Sequence, residues 1–281
     1  SFFQRHTLMH RITTADQTSL YLKDWGEGSP VVLIHGWPLS ADSWDDLAVS
    51  LVEAGHRVIA YDRRGFGRSS QPWNGYDYDT LADDLWEVME QLKLEDVTLV
   101  GFSMGGGEVA RYMSRHNGKN VARTALISSV LPFRLKTPDN PTGAEASAFD
   151  KTAKALMDDR AKFFTGFFRD FFSRGSPDSR VSDETLRWAH CIAMQAGLRP
   201  TVACMRAFSS TDFRPDLAAF NVPTLLIHGT DDKTVPIAAS SRLAAAGIAG
   251  SQLIEYEGAP HGLFVSHKQR LAKDLLAFLK A

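Results

Sequence analysis

The sequence is poor in several features that would each point to a class of protein. Its 281 residues include only two cysteines, Cys191 and Cys204, too few for a disulfide framework at this length. We expect both to be reduced and buried, because a free cysteine packs as a small hydrophobic residue. No run approaches the roughly 18 apolar residues that span a bilayer, and Ser1–Leu8 lacks the pattern of a secretory signal. These absences predict a cytoplasmic protein with no membrane partner.

The charge balance excludes a second group of functions. Lys and Arg number 31 against 33 Asp and Glu, a formal net charge of −2. Without a basic run, nucleic acid is not expected as a partner. The 44% hydrophobic and 23% charged composition is typical of a globular protein. Composition alone does not decide whether the protein assembles into a homo-oligomer.

Motifs for metals and nucleotides are also missing. Neither H-E-x-x-H nor C-x-x-C occurs, so no metal site is expected. The stretch 62–67 lacks the third glycine of a dinucleotide fingerprint, and no glycine-rich loop ends in Gly-Lys-Ser/Thr. We therefore expect no cofactor.

What the sequence does contain is a repeated alternation of short apolar runs with helical stretches. The predicted strands are 20–25, 31–34, 57–61, 97–100, 122–127, 224–227 and 252–256. The predicted helices are 43–54, 80–92, 108–115, 238–246 and 267–279, and Asp79 is expected to cap the second of them. This alternation predicts an α/β fold, with a mainly parallel twisted sheet and helices on both faces.

One long segment interrupts the alternation. From 132 to 214 no strand-like run occurs, only helical segments separated by Pro- and Gly-marked breaks. We predict an inserted helical cap over the carboxyl edge of the sheet, where open α/β sheets bind ligands. The sheet core would then comprise 9–131 and 215–281. Residues 1–8, ahead of Met9, are expected to be an added segment rather than native sequence.

The strongest chemical signal is the run Gly101-Phe102-Ser103-Met104-Gly105. It directly follows a predicted buried strand and precedes a helix. A nucleophile on such a sharp turn needs small residues on both sides, because side chains there would clash. The sequence thus predicts Ser103 as a nucleophile.

A serine nucleophile needs a base, and the base needs an acid to orient it. The suitable late histidine is His261, in a loop after the last predicted strand. The acid is expected after the preceding strand, where Asp232 is preferred and Asp231 is the alternative. Two other histidines at strand ends are expected to make structural hydrogen bonds, His35 and His228.

Acyl transfer also needs donors for the developing oxyanion. One should be the backbone N–H of Met104, the residue after the nucleophile. The second should be the N–H of Trp37, where Gly36 allows close approach and Pro38 restricts the loop.

The sequence resembles the α/β-hydrolase superfamily over nearly the whole chain, and five segments carry the resemblance. They are the Ser103 elbow, 32–38 (VLIHGWP), 61–69 (YDRRGFGRS), 76–80 (YDYDT) and 259–262 (APHG). Within it, the sequence is most similar to the cofactor-free haloperoxidase, perhydrolase and arylesterase group. The resemblance places the family's triad on Ser103, Asp232 and His261, and its oxyanion donors on Trp37 and Met104.

The resemblance implies hydrolysis of small esters and lactones, with amide or γ-lactam hydrolysis in some members. Several members form peracids from carboxylic acids and hydrogen peroxide, and Pro38 after Trp37 is similar to those members. We predict a serine carboxylester hydrolase acting through an acyl-enzyme on small apolar ester, lactone or aryl ester substrates, with peracid formation from a carboxylic acid as a side activity.

Two alternatives stay open at this point. The same triad could serve a carbon–carbon bond or γ-lactam hydrolase, and the fold could serve a non-catalytic ligand-binding protein. Dehalogenase and epoxide-hydrolase functions need a carboxylate at position 103 and are rejected.

Six of the 17 phenylalanines crowd into 163–172. On a helix, the rows Phe163/Phe167/Phe171 and Phe164/Phe168/Phe172 form one broad apolar stripe. Most of the six are expected in the core, with one edge facing the substrate pocket. The predicted pocket residues are Trp37, Phe133, Phe164 and Phe168.

Overall fold

The computed structural model describes residues 10–177 and 179–281, so the expectation for residues 1–8 lies outside the described residues. The described strands form one sheet in the order β1-β2-β4-β3-β5-β6-β7-β8. Their bounds are β1 Arg11–Thr13, β2 Ser19–Trp25, β3 Pro30–Ile34, β4 Arg57–Tyr61, β5 Val97–Phe102, β6 Val121–Ile127, β7 Thr224–Gly229 and β8 Gln252–Tyr256. The β1–β2 and β2–β4 pairs are antiparallel and all other pairs are parallel.

The α-helices of the described chain connect these strands. They are α1 Asp45–Glu53, α2 Tyr78–Gln91, α3 Met104–Arg115, α4 Ala146–Phe171, α5 Asp183–Gln195, α6 Leu198–Ser210, α7 Ser241–Gly247, α8 Leu263–Ser266 and α9 Lys268–Lys280. α1 packs against α9 and α2 against α3. β5 and β7 are buried at every position, so helices and loops cover both sheet faces. The predicted α/β fold, with a mainly parallel sheet and helices on both faces, is confirmed.

Local boundaries differ from the predictions in two places. α2 is capped by Asp77, whose carboxylate accepts the N–H of Thr80 at 3.0 Å, so the prediction of Asp79 as the cap is wrong. Asp79 lies in the first turn instead. The antiparallel strand β1 was not predicted, because three residues are too few to show an alternating pattern.

The inserted segment is helical, with α4, α5 and α6 forming a cap-like layer between β6 and β7. α4 breaks at Asp159, whose side chain accepts the N–H of Lys162 at 3.0 Å and so starts the phenylalanine-rich half. We propose that the cap begins at residue 132 and ends at residue 214.

The two cysteines are free, but only Cys204 is buried. Cys191 is exposed, so the prediction of a buried pair is wrong for it. On α5 the buried face consists of Ala189, Ile192 and Ala193, and Cys191 points away from that face. Within the described ranges, no helix is long and apolar enough to cross a membrane.

Candidate active site

Ser103 lies on the turn between β5 and α3 with a strained backbone, φ 51° and ψ −114°. Glycines lie two residues before and two residues after Ser103, because a side chain at either position would clash with the backbone. A Cβ on Gly101 would lie 2.6 Å from the carbonyl oxygen of Gly105, and one on Gly105 would lie 2.5 Å from that of Ile34. The spacing of small residues in the sequence therefore reflects the close approach of strand, turn and helix.

The structure brings Ser103, His261 and Asp232 into one hydrogen-bonded chain. His261 Nδ1 lies 2.6 Å from Asp232 Oδ2, and His261 Nε2 lies 3.0 Å from Ser103 Oγ. An ionised carboxylate only accepts hydrogen bonds, so Nδ1 carries the proton and Nε2 accepts from the serine hydroxyl. This is the tautomer that a general base needs.

Further donors hold the Asp232 carboxylate in place. Its Oδ1 accepts the backbone N–H groups of Thr234 at 2.9 Å and Val235 at 2.7 Å. His228 Nε2 lies 3.1 Å from Oδ2 and agrees with the structural role expected for that histidine. Burial alone would raise the pKa of Asp232, but the rings of His261 and His228 outweigh it and hold the pKa below its ordinary range. The carboxylate therefore stays ionised beside His261.

The predicted oxyanion donors belong to two segments that meet beside Ser103. Neither the N–H of Trp37 nor that of Met104 donates to a protein acceptor within the described residues. Gly36 permits the approach, because a Cβ there would lie 2.6 Å from Phe102 Cδ1 and 3.2 Å from the Cβ of Ser103. Trp37 is further held by its indole N–H, which donates to the carbonyl of Thr201 on α6 at 2.8 Å.

A buried ion pair behind this loop was not predicted. The guanidinium of Arg63 pairs with Glu108 on α3 and also donates to the carbonyl of His35. Both charged side chains are almost fully buried. Burial and the Arg63 charge together lower the pKa of His35, which keeps that ring neutral. The pair thus ties the loop of Trp37 to the helix that follows Ser103, a contact between residues 45 positions apart that no local pattern reveals.

A cavity of about 230 Å³ opens beside Ser103 and His261. Sheet-side loops contribute Trp37, Val130, Lys233, Thr234 and Val235. The cap segment contributes Arg134, Phe149, Thr152, Phe163, Phe167, Asp170, Met205 and Phe208. The space next to the serine is therefore walled mainly by apolar side chains.

Of the four predicted pocket residues, only Trp37 borders this cavity; Phe133, Phe164 and Phe168 do not. Phe164 and Phe168 are buried in the core, and Phe163 and Phe167 face the cavity. The orientation of α4 therefore differs from the prediction by one residue. The row that contains Phe163 and Phe167 lines the cavity, and the row that contains Phe164 and Phe168 packs in the core. The ring of Phe133 instead makes a cation–π contact with the guanidinium of Arg214.

In the part of the chain that the structure describes, no three His, Cys, Asp or Glu side chains are grouped to hold a metal ion. The groups placed to react are those of the serine, the histidine and the acid, and two backbone amides are the predicted oxyanion donors. Together they can perform nucleophilic acyl transfer.

Comparison with known proteins agrees with this geometry. Residues 29–191 match the family model of the alpha/beta hydrolase fold. The chain is 42% identical over 269 residues to the non-heme chloroperoxidase CPO-A1 of Kitasatospora aureofaciens, covering 95% of this chain and 98% of that one. It is 39% identical over 277 residues to the bifunctional esterase/perhydrolase DCH of Acinetobacter calcoaceticus, covering 97% and 100%. The crystal structure of a bromoperoxidase from Bacillus anthracis superposes with a TM-score of 0.93 at 45% identity, covering 96% and 100%.

The fold and these matches define the chain as an α/β hydrolase. Within that fold it belongs to the cofactor-free haloperoxidase, esterase and perhydrolase family, and it is a serine hydrolase of that group. The predicted family and enzyme class are confirmed.

Proposed function

We propose that this enzyme hydrolyses small carboxylic esters, including lactones and aryl esters, through an acyl-enzyme on Ser103. The observation that carries the proposal is the chain of hydrogen bonds from Ser103 through His261 to Asp232. Ser103 Oγ attacks the ester carbonyl while His261 Nε2 takes its proton. His261 then gives that proton to the leaving alcohol. Water, deprotonated by the same nitrogen, releases the acid and restores the serine.

The roles of the remaining groups follow from their positions. The N–H groups of Trp37 and Met104 stabilise the oxyanion of each tetrahedral intermediate. Asp232 keeps His261 in the required tautomer and stabilises its charged form. The aromatic cavity, with Phe163 and Phe167 on the cap side, suits apolar acyl groups of modest size.

Hydrogen peroxide can replace water in the second half of the reaction. Attack of HOO–H on the acyl-enzyme transfers the acyl group to peroxide, gives a peracid and returns the proton to Ser103. Relatives named as a non-heme chloroperoxidase and as an esterase/perhydrolase support this side activity. We also propose that the enzyme acts in the cytoplasm. Its two cysteines are free, which is typical of proteins in a reducing compartment.

The test is hydrolysis of p-nitrophenyl acetate by the wild type and by Ser103→Ala. We expect the substitution to lower kcat by about 10⁴-fold or more. Ser210→Ala, on an exposed position of α6, is the matched control and should behave as wild type. Equal rates for wild type and Ser103→Ala would refute the proposal.

The peroxide branch needs its own assay. Acetate and hydrogen peroxide should yield peracetic acid faster with wild-type enzyme than without enzyme, and Ser103→Ala should remove the difference. A yield equal to the enzyme-free rate would remove the peracid activity and leave ester hydrolysis standing.

A further inference from the structure

Arg134 is a charged side chain on the cavity that the proposed reaction does not use. It follows β6 in the loop 131–135 and borders the same space as Ser103. Its Nη2 donates to the carbonyl of Thr234 at 3.1 Å. Its Nε is buried and has no hydrogen-bond partner within the described residues. A buried donor without an acceptor is uncommon in folded proteins and calls for an explanation.

Arg134 is half-buried, and the lack of an acidic partner among the described residues sets it apart from the buried Arg63 and Arg64. Arg63 pairs with Glu108 and Arg64 with Asp84. Arg134 forms no ion pair with any acid in 10–177 or 179–281. Accordingly, burial lowers the pKa of Arg134, and the charge of Asp232 only partly offsets the effect. Partial removal of a cation from water is costly when no acid pairs with it directly, so an anion from outside the chain would stabilise it.

The backbone around Arg134 is fixed before any ligand arrives. Asn140 Nδ2 donates to the carbonyls of Phe133 at 3.1 Å and Leu135 at 2.8 Å. The carbonyl of Arg134 itself accepts the N–H of Ala144 at 2.8 Å. These bonds fix the backbone on both sides of Arg134, and the bond from Nη2 to the carbonyl of Thr234 anchors its side chain, so less conformational entropy is lost when a ligand binds.

Two other charged residues border the cavity, Lys233 and Asp170, and both are exposed. Asp232 does not border the cavity, and its carboxylate is already bound to His261. The cations at the cavity therefore outnumber the free acids. Its remaining walls are largely apolar, which suits a ligand with a hydrocarbon chain and one negative end.

We propose that Arg134 binds a carboxylate on the substrate, so that the preferred substrates are esters or lactones that carry a second, ionised carboxyl group away from the scissile carbonyl. This rests on the proposed ester hydrolysis. The planar guanidinium suits a carboxylate, which accepts two parallel N–H donors. The apolar walls accommodate the chain between the two ends, and Arg134 acts as a specificity-determining residue.

Two ethyl esters of equal chain length test the preference: monoethyl adipate, with a terminal carboxylate, and ethyl hexanoate, with a methyl in its place. For wild type we expect kcat/KM to favour monoethyl adipate. In Arg134→Met the ratio of the two values should fall by about tenfold to a hundredfold, as for the loss of a charged hydrogen bond. Arg134→Lys keeps the charge and should restore part of the ratio. A ratio that is the same in wild type and Arg134→Met would overturn the proposal.

Arg160→Met is the matched control. Arg160 also donates to a backbone carbonyl, that of Ala196 at 2.7 Å, but it does not border the cavity. Its substitution should leave the ratio unchanged. If Arg134 only braced the Thr234 loop, Arg134→Met would slow both esters equally and the ratio would stay at the wild-type value.

A binding measurement separates this proposal from the reaction itself. Calorimetry with Ser103→Ala protein needs no turnover, and it should show tighter binding of monoethyl adipate than of ethyl hexanoate. The double variant Ser103→Ala/Arg134→Met should lose that difference. Equal affinities would overturn the anion site even if ester hydrolysis holds. The selective affinity would survive even if wild type cleaved neither ester.

Discussion

On the sheet side of the cavity the reacting groups are held by hydrogen bonds, whereas on the cap side the walls are held by packed rings. Asp232 accepts from two backbone amides and two histidines. Across the cavity, Phe167 packs its ring edge-to-face on Trp37 at 5.3 Å between centroids. Directional contacts fix the geometry that bond making requires, and rings of similar size can exchange while the chemistry stays the same. Reactivity therefore resides in the groups of the sheet side, and we infer that substrate choice resides in the cap, including Arg134.

The sharpest test on the sheet side is Asp232→Asn, which removes the charge beside His261 and favours the wrong tautomer. We expect kcat for p-nitrophenyl acetate to fall by about 10⁴-fold. The neighbouring substitution Asp231→Asn is the matched control, because the carboxylate that bonds His261 Nδ1 among the described residues is that of Asp232. A large loss in Asp231→Asn and a small one in Asp232→Asn would reverse the assignment of the acid.

The oxyanion loop should show the next largest effect. In Gly36→Ala the new methyl meets the Phe102 ring, so the loop that carries Trp37 must move and one oxyanion donor is displaced. We expect kcat to fall by about 10²–10³-fold. Gly166→Ala, on α4 with open space around it, is the control and should retain activity. Wild-type kcat in Gly36→Ala would show that this loop does not supply a donor.

The two phenylalanine rows should respond differently to alanine. Phe168 is fully buried, so Phe168→Ala should lower the free energy of unfolding by about 3–5 kcal/mol. Phe167 borders the cavity, so Phe167→Ala should cost less stability and shift the preferred acyl length, with KM changing by about tenfold. Denaturant titration and an acyl-length series measure the two effects. If both variants changed stability alone, the lining role of Phe167 would be lost.

The smallest effect concerns stability and pH. The folded-state pKa of Asp232 lies below its unfolded value of about 3.9, so its ionisation stabilises the fold above that pH. Asp232→Asn should therefore lower the free energy of unfolding at pH 7 by about 1–3 kcal/mol. The difference in the free energy of unfolding between wild type and Asp232→Asn should become smaller as the pH falls below about 4, because wild type then loses this contribution. A gap that stays constant down to pH 3 would contradict the pKa shift.

The sequence predicted the sheet side far better than the cap side, for physical reasons. Steric exclusion around Ser103 leaves a local signature of glycines, and chain order then points to Asp232 and His261. The orientation of α4 leaves no such signature, because two adjacent rows of phenylalanine are equally apolar and the break at Asp159 resets the helix. Likewise, the pairing of Arg63 with Glu108 and the lack of an acid beside Arg134 in the described parts of the chain depend on residues that are distant in sequence.

The proposed reaction depends on acylation of Ser103, and trapping the acyl-enzyme tests this step most directly. Wild-type protein reacted with p-nitrophenyl acetate, quenched in acid and digested should show one acetyl group on the peptide containing Ser103. Ser103→Ala should show none. Hydrolysis by wild type with the acetyl group on another residue, or undiminished hydrolysis by Ser103→Ala, would contradict the account.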